Sequence, residues 1–201
     1  MYHVLQRCAI LVSRMALTMP PPMFHDMVRA TASWPDLCRR LISTSATLSH
    51  ARSRKLVALG LAHMLRHASA QDKGLLSAVP DMIGMWTEVV GEVVEDEAGS
   101  ADRYERELSP TRALEIGEDG IPFLDEFGLI EAAPTPSSAR TDAVRSRDPS
   151  FNVPLRAYVA DTLNAVLQNG SYKTQLQSLL ATIDPLVLDT LQRGLSERPV
   201  A

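Results

Sequence analysis

Apolar residues recur at three- and four-residue spacing through much of this 201-residue chain, and proline repeatedly cuts the pattern short. That punctuation permits a series of separate helices and forbids one long one. Pro20-Pro21-Pro22 closes a first segment over 2–18 and opens a second over 21–31, because proline stops one helix and suits the first turn of the next. Ser33-Trp34-Pro35-Asp36 then supplies a Ser cap followed by Pro and an acid in a first turn, with Leu37, Leu41 and Ile42 turned inward. A fourth helix is predicted over 50–67, and a fifth over 74–94 with a kink or break at Pro80. After Pro154 the pattern resumes over 154–168, 171–181 and 184–195, with Asn169-Gly170 as a stop and Asp184-Pro185 as a cap.

The periodicity also names a core. In the first helix Val4, Leu5, Cys8, Leu11, Val12 and Met15 follow the spacing of a buried face. Leu56, Leu59, Trp86, Val89, Val90, Leu163 and Leu188 are the core positions expected of the later helices. Aromatic residues are only 5% of the chain, which disfavours a β-sandwich, and no strand signal appears. The expected fold class is all-α: an α-solenoid of HEAT/armadillo-like helix pairs near 2–31, 34–67 and 154–195, approaching a period of ~40–47 residues. A compact helical bundle is the competing architecture.

Residues 95–150 break the helical pattern. They begin with an acidic run and end in Pro, Ser, Ala and Arg, with one amphipathic patch at Ile121–Phe127. A structureless stretch this long is uncommon inside a compact domain, so it reads as a partly disordered insertion. The domains are thus 1–94 helical repeats, 95–150 acidic to Pro/Ser-rich insertion, and 151–197 helices packing on the solenoid.

Charge is unevenly spread. Residues 1–73 carry +7 and residues 74–131 carry −12, although the whole chain is only −4. This polarity points to internal pairing or a two-poled surface. It does not fit a nucleic-acid domain, which carries a basic excess. No apolar run approaches the ~20 residues of a membrane span, so no membrane insertion is expected. Cys8 and Cys38 sit among apolar residues, as buried thiols of a reducing compartment. No acid precedes Asp26, while Arg7 and Arg14 do. That is also the charge pattern of a mitochondrial presequence, which keeps a small helical mitochondrial protein as an alternative.

Signals of chemistry are few. His63 and His67 are four residues apart, a spacing that can bind zinc, but no companion ligand is evident and solvated or groove-lining histidines are the expected reading. No phosphate loop, nucleophile elbow or CxxC motif is present. The chain is expected to be no enzyme, with no cofactor and no metal. Glu95, Asp96, Glu97, Asp102, Glu105 and Glu107 form the candidate acidic loop. It is either a solubilising segment or a lure for basic protein cargo. Arg52, Arg54 and Lys55 read as a solvated rim, or as partners of those acids.

Three stretches in order carry a family resemblance: Arg54-Lys55-Leu56-Val57-Ala58-Leu59, then Met82-Ile83-Gly84-Met85-Trp86-Thr87-Glu88-Val89-Val90 with its acidic run, then Arg145-Ser146-Arg147-Asp148-Pro149 before Leu155-Arg156-Ala157-Tyr158-Val159. Ile183-Asp184-Pro185-Leu186-Val187-Leu188 follows as a closing helix. Together they resemble the C-terminal region of importin-β superfamily nuclear transport receptors (karyopherins), closest to the importin-11 type. The resemblance implies a receptor fragment that binds protein cargo for Ran-regulated nucleocytoplasmic transport. It also implies nucleoporins as partners, residence in nucleus and cytoplasm, and Ran binding through N-terminal repeats that have no match here. A helical-repeat scaffold outside transport is the other alternative.

Overall fold

The computed structural model describes residues 2–69, 71–99, 148–169 and 172–196, and these are helical. The helices are α1 (Tyr2–Thr18), α2 (Pro21–Thr31), α3 (Trp34–Ser45), α4 (Ala51–Arg66), α5 (Lys73–Leu76), α6 (Val79–Gly99), α7 (Pro149–Asn152), α8 (Leu155–Gln168), α9 (Lys173–Leu180) and α10 (Pro185–Ser196). Among the described residues there is no strand.

The ends follow the expected chemistry. The Ser33 side chain accepts from the Asp36 backbone N–H, and proline stands in the first turn of both α2 and α3. Asp184 accepts from the Leu186 N–H at 2.8 Å ahead of α10. Pro80 acts as a starter: the chain breaks after α5, and Pro80 sits in the first turn of α6, where a missing N–H costs nothing.

Helix α4 organises the packing. It lies against α1, α3, α6, α7 and α8. Its Leu56-Val57-Ala58-Leu59-Gly60-Leu61-Ala62 run is buried throughout, as a helix covered on several sides must be. Helix α6 stacks on α4 with Met82, Ile83, Trp86, Val89 and Val90 inward, and the Trp86 indole donates to the Ala58 carbonyl at 3.1 Å. Helix α8 covers α4 with Leu155, Val159, Thr162 and Val166, and α10 covers α6. Leu56, Leu59, Trp86, Val89 and Val90 are therefore core, whereas Leu163 and Leu188 are half-buried at its margin.

The first helix corrects the sequence reading. Its buried residues are Ala9, Ser13 and Ala16, while Val4, Leu5, Cys8 and Leu11 face outward. Gly60 of α4 supplies the physical reason. A Cβ there would lie 2.9 Å from Ser13 Cβ and 3.0 Å from Ser13 Cα, so the two helices cross at a distance that only small residues allow. Ser13 meets its hydrogen-bond need within α1, donating to the Ala9 carbonyl at 2.8 Å. This close crossing also makes α4 the main partner of α1, and α2 touches α1 only slightly. The sequential pair expected over 2–31 is thus not the closest packing unit. Cys8 is exposed, and only Cys38 is a buried thiol, its pKa pushed up to about 12 by desolvation.

The expected boundary at 94/95 also moves. Helix α6 continues to Gly99, which puts Glu95, Asp96 and Glu97 on helical backbone instead of in a loop. The described residues resume at Asp148, inside the stretch assigned to the insertion. Asp102, Glu105, Glu107 and the Ile121–Phe127 patch lie outside the described residues.

Candidate interaction surface and buried polar node

Two acids on the surface of α6, Glu88 and Glu92, stand one helical turn apart. Both reach Arg54 of α4: Nη2 lies 3.1 Å from Glu88 Oε2, and Nη1 bonds Glu92 Oε1. Arg54 is only 13% exposed, whereas Glu88 is 68% and Glu92 40% exposed. Arg54 is therefore no solvated rim. It pairs with acids one and two turns before Glu95, Asp96 and Glu97 on the same helix. Glu95, Asp96 and Glu97 prolong this acidic end along the α6 backbone, with Asp96 at the next four-residue step after Glu88 and Glu92. A guanidinium facing two carboxylates leaves excess negative charge, which favours cationic partners.

A second polar constellation is wholly interior. Asp72, in the turn between α4 and α5, is 0% exposed. Its Oδ2 accepts from the Ser69 N–H at 2.9 Å, from the Ser69 hydroxyl at 2.7 Å and from His25 Nδ1 at 3.0 Å. Its Oδ1 accepts from the Trp34 indole at 2.9 Å, and Arg29 Nε stands 3.3 Å away. Burial alone would raise the carboxyl pKa; the donors from Ser69, His25 and Trp34 outweigh it and bring it down to about 2. The node ties α2 and α3 to the turn after α4. It is closed and fully occupied by the chain's own donors, so its role is structural.

A third group lies where α4 meets α8. His63 Nδ1 is 2.5 Å from the Tyr158 hydroxyl oxygen, the His63 and His67 rings are 4.5 Å apart, and the Arg66 guanidinium sits 5.5 Å over the Tyr158 ring. Desolvation, then the charges of His67 and Arg66, push His63 down to about 4. Among the described residues no cluster of three or more His, Cys, Asp or Glu is arranged to hold a metal ion. Further along, Asp148 caps α7 by accepting from the Ser150 N–H at 3.0 Å, and it bonds Arg14 of α1 at 2.7 Å. The Asp148-Pro149 pair is thereby tied to the first helix.

Sequence reasoning placed Trp86 in the core and singled out His63, His67 and Arg54, but it assigned no role to Asp72, His25 or Glu92. Asp72 carried one signal: it is one of only three acids among residues 1–73, against ten Lys and Arg.

These stacked helices define a helical-repeat protein. The chain matches the family described as importin-11-like, TPR repeats, over residues 2–196, and it belongs to that family. That description names TPR repeats where the sequence reading expected the HEAT type; both are stacked helix pairs. No curated protein and no solved structure matches the chain. Membership in this family implies protein partners in general and a component of nucleocytoplasmic transport. Among the described residues no helix is long and apolar enough to cross a membrane.

Proposed function

We propose that this chain works as part of an importin-type nuclear transport receptor: a non-enzymatic binding module that holds protein cargo and releases it under control of the GTPase Ran. The observation that carries the reading is the family match across residues 2–196. The acidic end of α6 gives it a chemical direction. Glu88 and Glu92 outnumber their partner Arg54, and Glu95, Asp96 and Glu97 continue the run toward Asp102, Glu105 and Glu107. Flexible or surface carboxylates accelerate encounter with Lys- and Arg-rich segments. Cargo with a basic segment is therefore the partner this surface fits. On the same reading the protein meets nucleoporins and moves between nucleus and cytoplasm.

The test is binding of a fluorescent Lys/Arg-rich peptide, with and without GTP-loaded Ran, to the wild-type chain and to one with Glu95, Asp96, Glu97, Asp102, Glu105 and Glu107 changed to Gln or Asn. The expected result is salt-sensitive binding that the neutral variant loses, together with release from the full receptor by GTP-loaded Ran. Unchanged, salt-insensitive binding by the neutral variant would remove the acidic run from the mechanism. Indifference of the full receptor to Ran would favour the scaffold reading.

A further inference from the structure

At Ser150 a sequence signal and a built contact coincide. Arg145 and Arg147 precede it by five and three residues, and the apolar Phe151 follows it. Arginine at those two steps is the pattern that basophilic serine/threonine kinases select, because acidic pockets beside the kinase's active site pair with both guanidinium groups. Ser43, Ser69, Ser109 and Ser196 also have arginine three residues before them, but none has it five before. Ser150 alone among the serines and threonines of the chain has both. The contact is the head of α7. Asp148 Oδ1 accepts from the Ser150 N–H at 3.0 Å and from the Ser150 hydroxyl at 2.8 Å, while Asp148 Oδ2 accepts from Arg14 Nη2 of α1 at 2.7 Å. Asp148 and Ser150 are both buried, and α7 also packs on α4. One carboxylate thus latches this turn to the first helix, with Arg14 as its counter-charge.

We propose that Ser150 is a phosphorylation site for a basophilic protein kinase, and that its phosphorylation releases α7 from α1 and α4. In the transfer a carboxylate of the kinase takes the hydroxyl proton and Ser150 Oγ bonds to the γ-phosphorus of ATP. The bond from that phosphorus to the β,γ-bridging oxygen breaks, and ADP leaves. The product alters the latch twice over. The O–H that donated to Asp148 is gone. In its place a group carrying about −1.5 to −2 charge stands beside a carboxylate where little water reaches, and the one guanidinium of Arg14 cannot offset both. The turn yields because it is short: α7 has four residues, so few backbone bonds are lost when it opens. The same opening brings the buried hydroxyl out to the kinase, so the strength of the latch sets the rate of the reaction. The proposal concerns the attachment of α7 and stands independently of the cargo reading.

The experiment uses the full chain, magnesium-ATP and the purified catalytic domain of a kinase that selects arginine three and five residues before its serine. Tandem mass spectrometry maps the phosphate, which is expected chiefly on Ser150. Ser150→Ala should remove most of the incorporation, and Arg147→Ala should slow it by about tenfold or more. Arg14→Gln lies outside the kinase motif and changes a side chain that is 47% exposed, so the fold is kept while the latch is weakened. It should speed phosphorylation of Ser150 several-fold. Hydrogen exchange then reads the release. The Ser150 and Val153 amides, which donate to Asp148 and to the Pro149 carbonyl, should exchange about tenfold faster or more in the phosphorylated chain, while the amides of α8 stay protected. Four results would overturn the proposal: no phosphate on Ser150 in either the wild type or Arg14→Gln, a rate indifferent to Arg147→Ala, a rate indifferent to Arg14→Gln, or a phosphorylated chain whose Ser150 and Val153 amides remain as protected as before.

Discussion

Asp72 and His63 are two titratable groups packed around the same helix, and their surroundings treat charge in opposite ways. Asp72 meets only donors: two from Ser69, one each from His25 and Trp34, and the Arg29 guanidinium nearby. Its charged form is the favoured one. His63 meets a phenol, a second imidazole and Arg66, and among the described residues no carboxylate pairs with it. Its neutral form is the favoured one. Burial opposes ionisation at both sites; the neighbours decide whether the charge survives.

The largest expected effect comes from removing the charge that is best supported. Asp72→Asn leaves His25, Trp34, Ser69 and Arg29 facing a neutral amide whose own N–H groups must point at donors. Breaking a buried, hydrogen-bonded charge costs about 3–5 kcal/mol, which is a large part of the stability of an ordinary domain. Urea unfolding should show a lower midpoint with little change in slope. A loss below about 0.5 kcal/mol would mean that the node is solvated in solution and that the contrast with His63 is not one of burial.

Next in size is the pH dependence, where both sites lose stability on acidification but in separate windows. His63 is lowered from 6.5 to about 4. The unfolded chain therefore binds a proton that the native ring refuses, and stability falls as pH drops from about 6.5 toward 4. Asp72 is lowered from 3.8 to about 2, so its contribution is complete above the unfolded value and is lost as pH falls from about 4 toward 2. Unfolding free energy against pH should descend in two stages. His63→Gln, which keeps a hydrogen-bonding group near Tyr158 but cannot titrate, should shrink the upper stage and leave only the part owed to His67, whose pKa is also lowered by desolvation and the Arg66 charge. An upper stage undiminished by that substitution would mean that His63 does not contribute to it.

These sites differ as much in how far the sequence exposed them. Helix ends, caps and the burial of Trp86 were legible because their causes are local: a proline, a serine hydroxyl, a periodic run. The face of α1 was misread because periodicity marks a helix without ranking two usable faces. Val4, Cys8 and Leu11 outweigh Ala9, Ser13 and Ala16 in hydrophobicity, yet Gly60 of α4 accepts only the smaller set. Asp72 was illegible for another reason. Its donors Trp34 and His25 are 38 and 47 residues away in sequence, so no window of local pattern contains the node. Arg54 lies between these cases: the charge imbalance of the first two segments pointed to pairing, but not to Glu88 and Glu92 as the partners.

Arg54 also supplies the smallest test, because it places one guanidinium between carboxylates of unequal exposure. Glu88 is 68% exposed and Glu92 40%. Water screens the Glu88 pair more, and the long side chains pay entropy to stay in place, so Glu88→Gln should cost about 0–0.5 kcal/mol. Glu92→Gln removes the better shielded partner and should cost about 0.5–1 kcal/mol. Each loss should shrink in added salt, the Glu88 term first. Crossing each change with Arg54→Met isolates the pair energies, since the three groups touch and their single effects will not add. A Glu88 coupling larger than the Glu92 coupling would reverse the order that exposure sets. It would make the acidic end of α6 a defined ion-pair network, with less free charge to offer a basic partner than the surface geometry implies.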